Sequence, residues 1–376
     1  MTRVVCRPHD RAMQLSSTLC WLVDAAAETA GADWLLAELG AHLLEDGLPL
    51  AGGALTLEVP HPLIARRTWL WRAESGEVIE ALGFAPGGPA AAEEISPPYD
   101  AGRRWLAEVA PGLVHQDMIG PSRDGPSLSW IGPHQFTLRE TNQLRQAARF
   151  AAAPLAVLAA RATLTAALEA YLGRRSAARV LAAPLRRGIG ETIQAALLVA
   201  DLRGFTALSD SNPPSRVISA LDAWFDRIAG AVHAFGGEVL KFIGDGVLAI
   251  FPVVGGVPRG ACDGALRAVS AARLGMAHLD KERRQQGLAP LPFGAALHLG
   301  EMLWGNIGAA DRLDFTAIGP AVNLVSRLEG LCRPLGKAVL VSGAFAAEIE
   351  APLIALGTHT LRGIASPCAV FTLPEN

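Results

Sequence analysis

The sequence predicts an α+β fold for its second half, with helices inserted between antiparallel strands in a βαββαβ order. A separate α/β region precedes it. Three observations carry this. Residues 195–251 read as strand, helix and hairpin, and a further helix and strand run to about residue 299; that alternation gives a two-layer sandwich. Two apolar runs each end in an aspartate, Asp201 after AALLVA and Asp245 inside a Gly-Asp-Gly turn. Six of the eight tryptophans (Trp21, Trp34, Trp69, Trp71, Trp105, Trp130) lie before residue 131, so the two regions differ in texture. At 376 residues the chain is long enough for two cores.

In the first region, Leu35 to Leu48 has helical spacing and stops near Gly47. Gly53 to Val59 and Arg67 to Arg72 read as strands, and Ser127 to Ile131 is expected as a last one. Phe84 to Pro98, rich in Ala, Pro and Gly, reads as a loop. Thr137 and Glu140 have the spacing of a capping box, and a helical pattern runs from there to about Leu172, with a kink expected at Pro154. The tryptophans read as core. A basic junction follows over residues 171–190, with Arg174, Arg175, Arg179, Arg186 and Arg187. It reads as a solvated face or as a coupling helix.

In the second region, residues 195–200 form a short buried strand. Helices are expected at about 214–235 and 261–286, a hairpin over 238–251 and a strand over 293–299. A turn and strand follow Gly300, then a helix from about Ala321 to Cys332 and a strand from Gly336 to Val341. If the first strand and the hairpin are neighbours, Asp201 and Asp245 stand side by side at one sheet edge. Two carboxylates there suit a divalent cation that leaves its other positions to water and phosphate oxygens. After Asp201 the chain turns at Gly204 into a helix whose first N–H groups can hold a polyphosphate. Asn323 and Arg327, four apart on one helix, share a face and can hold a ribose and a phosphate.

Together these motifs resemble class III nucleotidyl (adenylate/guanylate) cyclases over about residues 190–373. The resemblance implies a ferredoxin-like βαββαβ catalytic domain over 191–376. It also implies two divalent metal ions, Mg2+ or Mn2+, on Asp201, Asp245 and the Leu202 carbonyl. By position, Phe205 and Thr206 lie at the phosphates, and Lys241 and Thr316 read the adenine edge. Asn323 orients the ribose and Arg327 stabilises the transition state, while Arg362 lies near a triphosphate contact whose register is open. Lysine only donates and suits adenine N1, and the threonine hydroxyl accepts from N6, so ATP is preferred over GTP. Each site of the family combines residues of two protomers, which implies a homodimer. Pro320 departs from the family, which commonly has Asp or Asn there. Roughly residues 15–165 weakly resemble a GAF-type sensory domain, which gives a first domain over 1–165 with 166–190 as the linker; a ligand-free dimerisation domain is the alternative for this region. Guanylate cyclase activity and a silent cyclase fold remain as alternatives.

A net charge of −3 argues against a nucleic-acid binder. A P-loop, an HxxE/HD metal cluster and a GGDEF-like turn are missing, and phosphodiesterases, kinases and polymerases fit worse. The five cysteines (Cys6, Cys20, Cys262, Cys332, Cys368) are scattered, and the N-terminus is charged and broken by Pro8, so a cytoplasmic protein is expected. The apolar run Phe150 to Ala160 reads as too short to span a bilayer. His42, His61, His115 and His134 are candidate haem ligands, and Cys6 and Cys20 candidate pigment attachment points. With no CxxCH present, no cofactor is assigned to this region, and its ligand stays unknown.

Overall fold

A computed structural model describes residues 16–58, 64–84, 101–120, 125–182, 186, 188, 190–309 and 311–374. The chain divides into two compact units, 1–164 and 165–376.

The first unit runs α1 (Ser17–Asp24), α2 (Ala32–Glu45), β1 (Gly52–Glu58), β2 (Ile64–Arg72), β3 (Val78–Phe84), α3 (Ala101–Val109), β4 (His115–Met118), β5 (Ser127–Ile131) and the start of α4 (Leu138–Leu172). The strands form an antiparallel sheet in the order β3-β2-β1-β5-β4. Strand periodicity sorts the two faces. Leu55, Trp69, Trp71, Leu128 and Trp130 pack with Leu35, Leu36 and Leu39 of α2 and Leu144 and Ala148 of α4. On the other face Ala54, Leu70 and Ile131 meet Leu106 of α3. Trp69, Trp71 and Trp130 are therefore core residues, and Trp34 is exposed. A Cβ on Gly53 would lie 2.4 Å from the Trp130 ring, so the bare backbone there makes room for the indole.

The capping box forms: the Thr137 N–H donates to Glu140 Oε2 at 2.7 Å, and the Glu140 N–H donates to Thr137 Oγ1 at 3.3 Å. α4 continues as one helix through Pro154, which is buried. It also runs well past Ala160. By length and composition α4 is long and apolar enough to cross a membrane, which corrects the reading of a run that is too short. Leu144, Ala147, Ala148, Ala151 and Leu155 nevertheless pack into the core of the first unit. Three of the candidate haem ligands lie among the described residues. His42 lies against Trp21 with ring centroids 4.9 Å apart, His115 pairs with Asp117 at 2.7 Å, and His134 bonds the Gln135 carbonyl. His61, Cys6, Arg187 and residues 85–98 of the expected loop lie outside the described residues.

The second unit contains α5 (Arg174–Ala182), β6 (Gly190–Leu202), α6 (Phe205–Ser211), α7 (Pro214–Ala234), β7 (Glu238–Ile243), β8 (Gly246–Pro252) and α8 (Pro258–Gln285). It continues with β9 (Phe293–Gly308), β10 (Leu313–Ile318), α9 (Pro320–Glu329), β11 (Val339–Ser342), α10 (Gly343–Ala346), β12 (Ile354–His359) and β13 (Cys368–Thr372). Its sheet has the order β12-β13-β11-β9-β6-β8-β7, with β10 paired to β9. The run β9-β6-β8-β7 is the antiparallel core expected of a βαββαβ chain, and β11 extends it by pairing parallel to β9. α7 and α8 cover one face through Trp224, Ile228, Ala265 and Val269, and α9 covers the other through Ala321, Val325 and Leu328. Along β6, Ala196, Leu198 and Ala200 face the first layer, and Ala195 and Leu197 face the second.

Candidate active site

Strand pairing brings the two aspartates together. β6 runs antiparallel to β8 with Ala200 opposite Val247, so Asp201 reaches the level of Gly246 and the hairpin turn. Ile243 pairs with Gly246, which leaves Gly244-Asp245 as a two-residue turn, and Gly244 has a φ of 64°. The Trp224 indole donates to the Asp245 carbonyl at 2.9 Å and fixes the turn against α7. A Cβ on Gly246 would stand 3.4 Å from Asp201 Oδ1, so glycine keeps the space beside the carboxylate open.

Burial pushes the Asp201 carboxyl up to about 7. A hydrogen bond with Asp245, the charge of Asp245 and that of Glu329 add to this, and the Leu202 N–H opposes it. Two carboxylates close enough to share a proton form a site that a cation satisfies better than a proton does. The residues thus fit a divalent metal. They form a pair rather than a cage: among the described residues no group of three His, Cys, Asp or Glu side chains is placed to hold an ion. Such a site leaves room for water and substrate oxygens. Leu202 is buried and pairs with Phe293.

Gly204, with a φ of 77°, turns the chain out of β6, and Phe205 and Thr206 open α6. Their N–H groups belong to the first turn of the helix, where intrahelical acceptors are lacking. Phe205 is half-buried against the first core and Thr206 is exposed.

Lys241 follows a bulge that shifts the pairing of β7 with β8 between Val239 and Lys241. Its ammonium makes an ion pair with Asp314 Oδ2. Asp314 and Thr316 are two apart on β10 and so share a face, and Thr316 pairs with Gly305 of β9. The structure thus brings Lys241 to the face of β10 that carries Thr316. Asp314 had no role in the sequence reading, although its strand spacing from Thr316 was the available signal.

A second residue passed over was Glu329. It lies near Asp245 and Arg203, and burial raises its pKa first of all. A Cβ on Gly294 would meet Glu329 Oε1 at 2.7 Å and Arg203 Nε at 3.6 Å, so both side chains converge over that glycine. Sequence spacing gives no hint of this, because three separate segments supply the residues.

Asn323 and Arg327 are exposed on the outer face of α9, while Ala321, Val325 and Leu328 pack inward. Pro320 occupies the first turn of that helix, where its missing N–H costs nothing. Arg362 lies exposed between β12 and β13, strands at the opposite sheet edge from the β7–β8 hairpin.

An aspartate pair at the β6 end and hairpin turn, a lysine on the same hairpin and an Asn/Arg face on α9 all lie in the second unit. Residues 190–348 match the family model of the adenylate and guanylate cyclase catalytic domain. The chain is 30% identical over 169 residues to an adenylate cyclase of Anabaena cylindrica, covering 44% of this chain and 32% of the relative. It is 30% identical over 207 residues to adenylate cyclase 2 of Rhizobium meliloti (strain 1021), covering 54% and 55%. It therefore spans less than two thirds of these relatives. A bacterial light-regulated adenylyl cyclase has a similar fold, with a TM-score of 0.50 at 21% identity over 69% of this chain and 85% of that one.

Proposed function

We propose that this protein is an adenylate cyclase, converting ATP to 3′,5′-cyclic AMP and pyrophosphate at sites shared by two protomers of a homodimer. The observation that carries this is the contact of Asp201 with Asp245, on the same hairpin as Lys241. The adenylate cyclase relatives support it. Asp201, Asp245 and the Leu202 carbonyl would hold two divalent ions, Mg2+ or Mn2+. When bound, such ions offset phosphate charge and lower the pKa of the ribose 3′-hydroxyl.

The chain's own residues do the rest. Lys241 donates to adenine N1, and the Thr316 hydroxyl accepts from the N6 amino group. The N–H groups of Phe205 and Thr206 meet the phosphates. Asn323 holds the ribose, Arg327 stabilises charge that grows on the α-phosphate as pyrophosphate leaves, and Arg362 approaches the triphosphate. Asn323 and Arg327 stand exposed on α9, which suits residues offered to a partner's site. The first unit acts as a GAF-like regulatory domain in a cytoplasmic protein. The antiparallel order β3-β2-β1-β5-β4 with helices on both faces supports the domain assignment.

The test is turnover of ATP and GTP by the purified protein with Mg2+ or Mn2+, recorded beside its absorption spectrum. Cyclic AMP formation is expected. Absence of cyclic nucleotide with either substrate and either metal overturns the proposal.

A further inference from the structure

The segment that enters the second unit grips β7, which presents Lys241, and packs on β9, the neighbour of the strand that presents Thr316. α4 ends at Gly173, which has a φ of 81°, and α5 starts at once. The Glu238 carboxylate, only 4% exposed, caps the new helix. It accepts from the Ser176 N–H at 3.0 Å, the Ser176 hydroxyl at 2.8 Å and the Arg175 N–H at 3.2 Å. Arg175 also donates from its guanidinium to the Gly236 carbonyl at 3.2 Å. Glu238 is the first residue of β7, three before Lys241.

One turn further along α5, the Arg179 guanidinium lies 4.4 Å over the Trp304 ring and pairs with Glu191 at the start of β6. Trp304 is buried on β9 and meets Phe315 of β10 edge-on at 5.6 Å. Phe315 directly precedes Thr316. A single nine-residue helix is thus bonded to β7 at one point and packed toward β10 at another.

We propose that Glu238 and Arg179 are positioning residues for the nucleobase: through α5 they fix the spacing of Lys241 and Thr316 and so the preference for adenine over guanine. This rests on the cyclase reading given above. A buried carboxylate is costly unless its oxygens are satisfied, and here α5 supplies the donors, so β7 keeps its place only while α5 stays docked. Two hydrogen-bonding groups that must meet one purine edge tolerate little displacement, and an error of about 1 Å costs up to roughly 100-fold.

The experiment measures kcat and KM for ATP and GTP, together with the Mn2+ concentration giving half-maximal activity. The proteins compared are the full-length wild type, Arg179→Ala, Glu238→Ala, Glu238→Gln and Gly173→Ala. Arg179→Ala and Glu238→Ala are expected to raise KM for ATP about 10-fold and shrink the ATP-over-GTP preference by a similar factor. The Mn2+ requirement should not change. Glu238→Gln keeps an acceptor oxygen and should recover most of the preference. Gly173→Ala places a Cβ 2.8 Å from Glu238 Oε1 and should reproduce the loss with the carboxylate intact. Arg179 is a partly exposed helix residue, so its variant carries the test if Glu238→Ala does not fold. A uniform fall in kcat with the base preference intact, or a change confined to the Mn2+ requirement, overturns the inference alone. A wild type without turnover overturns the cyclase reading and this inference with it.

Discussion

Replacing Asp201 by Asn removes one charge from the carboxylate pair and leaves the shape of the site intact. In the metal-free protein the Asp201 pKa rises from its usual 3.8 to about 7, through burial first and Asp245 second. Between those values the folded state binds more protons than the unfolded one, so this group's stabilisation is complete below about pH 3.8 and lost as pH rises through 7. A fully shielded carboxyl shifted that far would cost about 4 kcal/mol; Asp201 is half-buried, and solvent screening leaves about 1–2 kcal/mol. For a unit of this size that is roughly 3–6 °C in melting temperature. Without metal, Asp201→Asn should therefore match the wild type near pH 4 and melt about 3–6 °C higher at pH 8. With Mn2+ at about 100 times its Kd the order reverses, because the wild type gains about 2.7 kcal/mol and the variant much less. Scanning calorimetry from pH 4 to 8, with and without Mn2+ or Mg2+, reads both effects. Identical metal-free pH profiles would show that the two carboxylates do not share their charge. An equal metal response would remove Asp201 from the ligand set. The variant should also lose cyclase turnover.

Lys241→Glu turns an obligatory donor into an acceptor beside Asp314 and should lower kcat/KM for ATP by about 100-fold or more; an unchanged ATP-to-GTP ratio would mean that Lys241 does not face the base. Mixing Asp201→Ala with Arg327→Ala protein should restore part of the activity, since one hybrid site has both halves intact; no recovery despite subunit exchange would refute the shared site. Burial holds His298, bonded to Ser342 at 2.8 Å, down to about 4. Its contribution is complete above its unfolded pKa of about 6.5 and drains away as pH falls toward 4. In an Asp201→Asn background, melting temperature should fall across that window, and His298→Asn should flatten the fall; a slope that survives the substitution would assign it to another group.

Much of the fold was legible because the local signals agree. The Thr137/Glu140 box starts α4, the strand Ser127–Ile131 appears with the expected ends, and the Gly-Asp-Gly turn closes β7–β8. Residue type and spacing also picked out the residues that carry the resemblance to the cyclase family. Two aspartates at strand ends, a donor-only lysine and an Asn/Arg pair four apart on a helix restrict the candidates because each has its own donor or acceptor pattern. What the sequence could not decide is which residues from distant segments meet. The bulge before Lys241 and the ion pair with Asp314 depend on strand register, which no local window contains. The convergence of Glu329 and Arg203 over Gly294 depends on how α9 packs against the sheet. The basic stretch after residue 171 read as a solvated face or as a coupling helix. Tertiary structure made part of it a clasp, because a buried glutamate on β7 needs donors and the first turn of α5 has N–H groups to give.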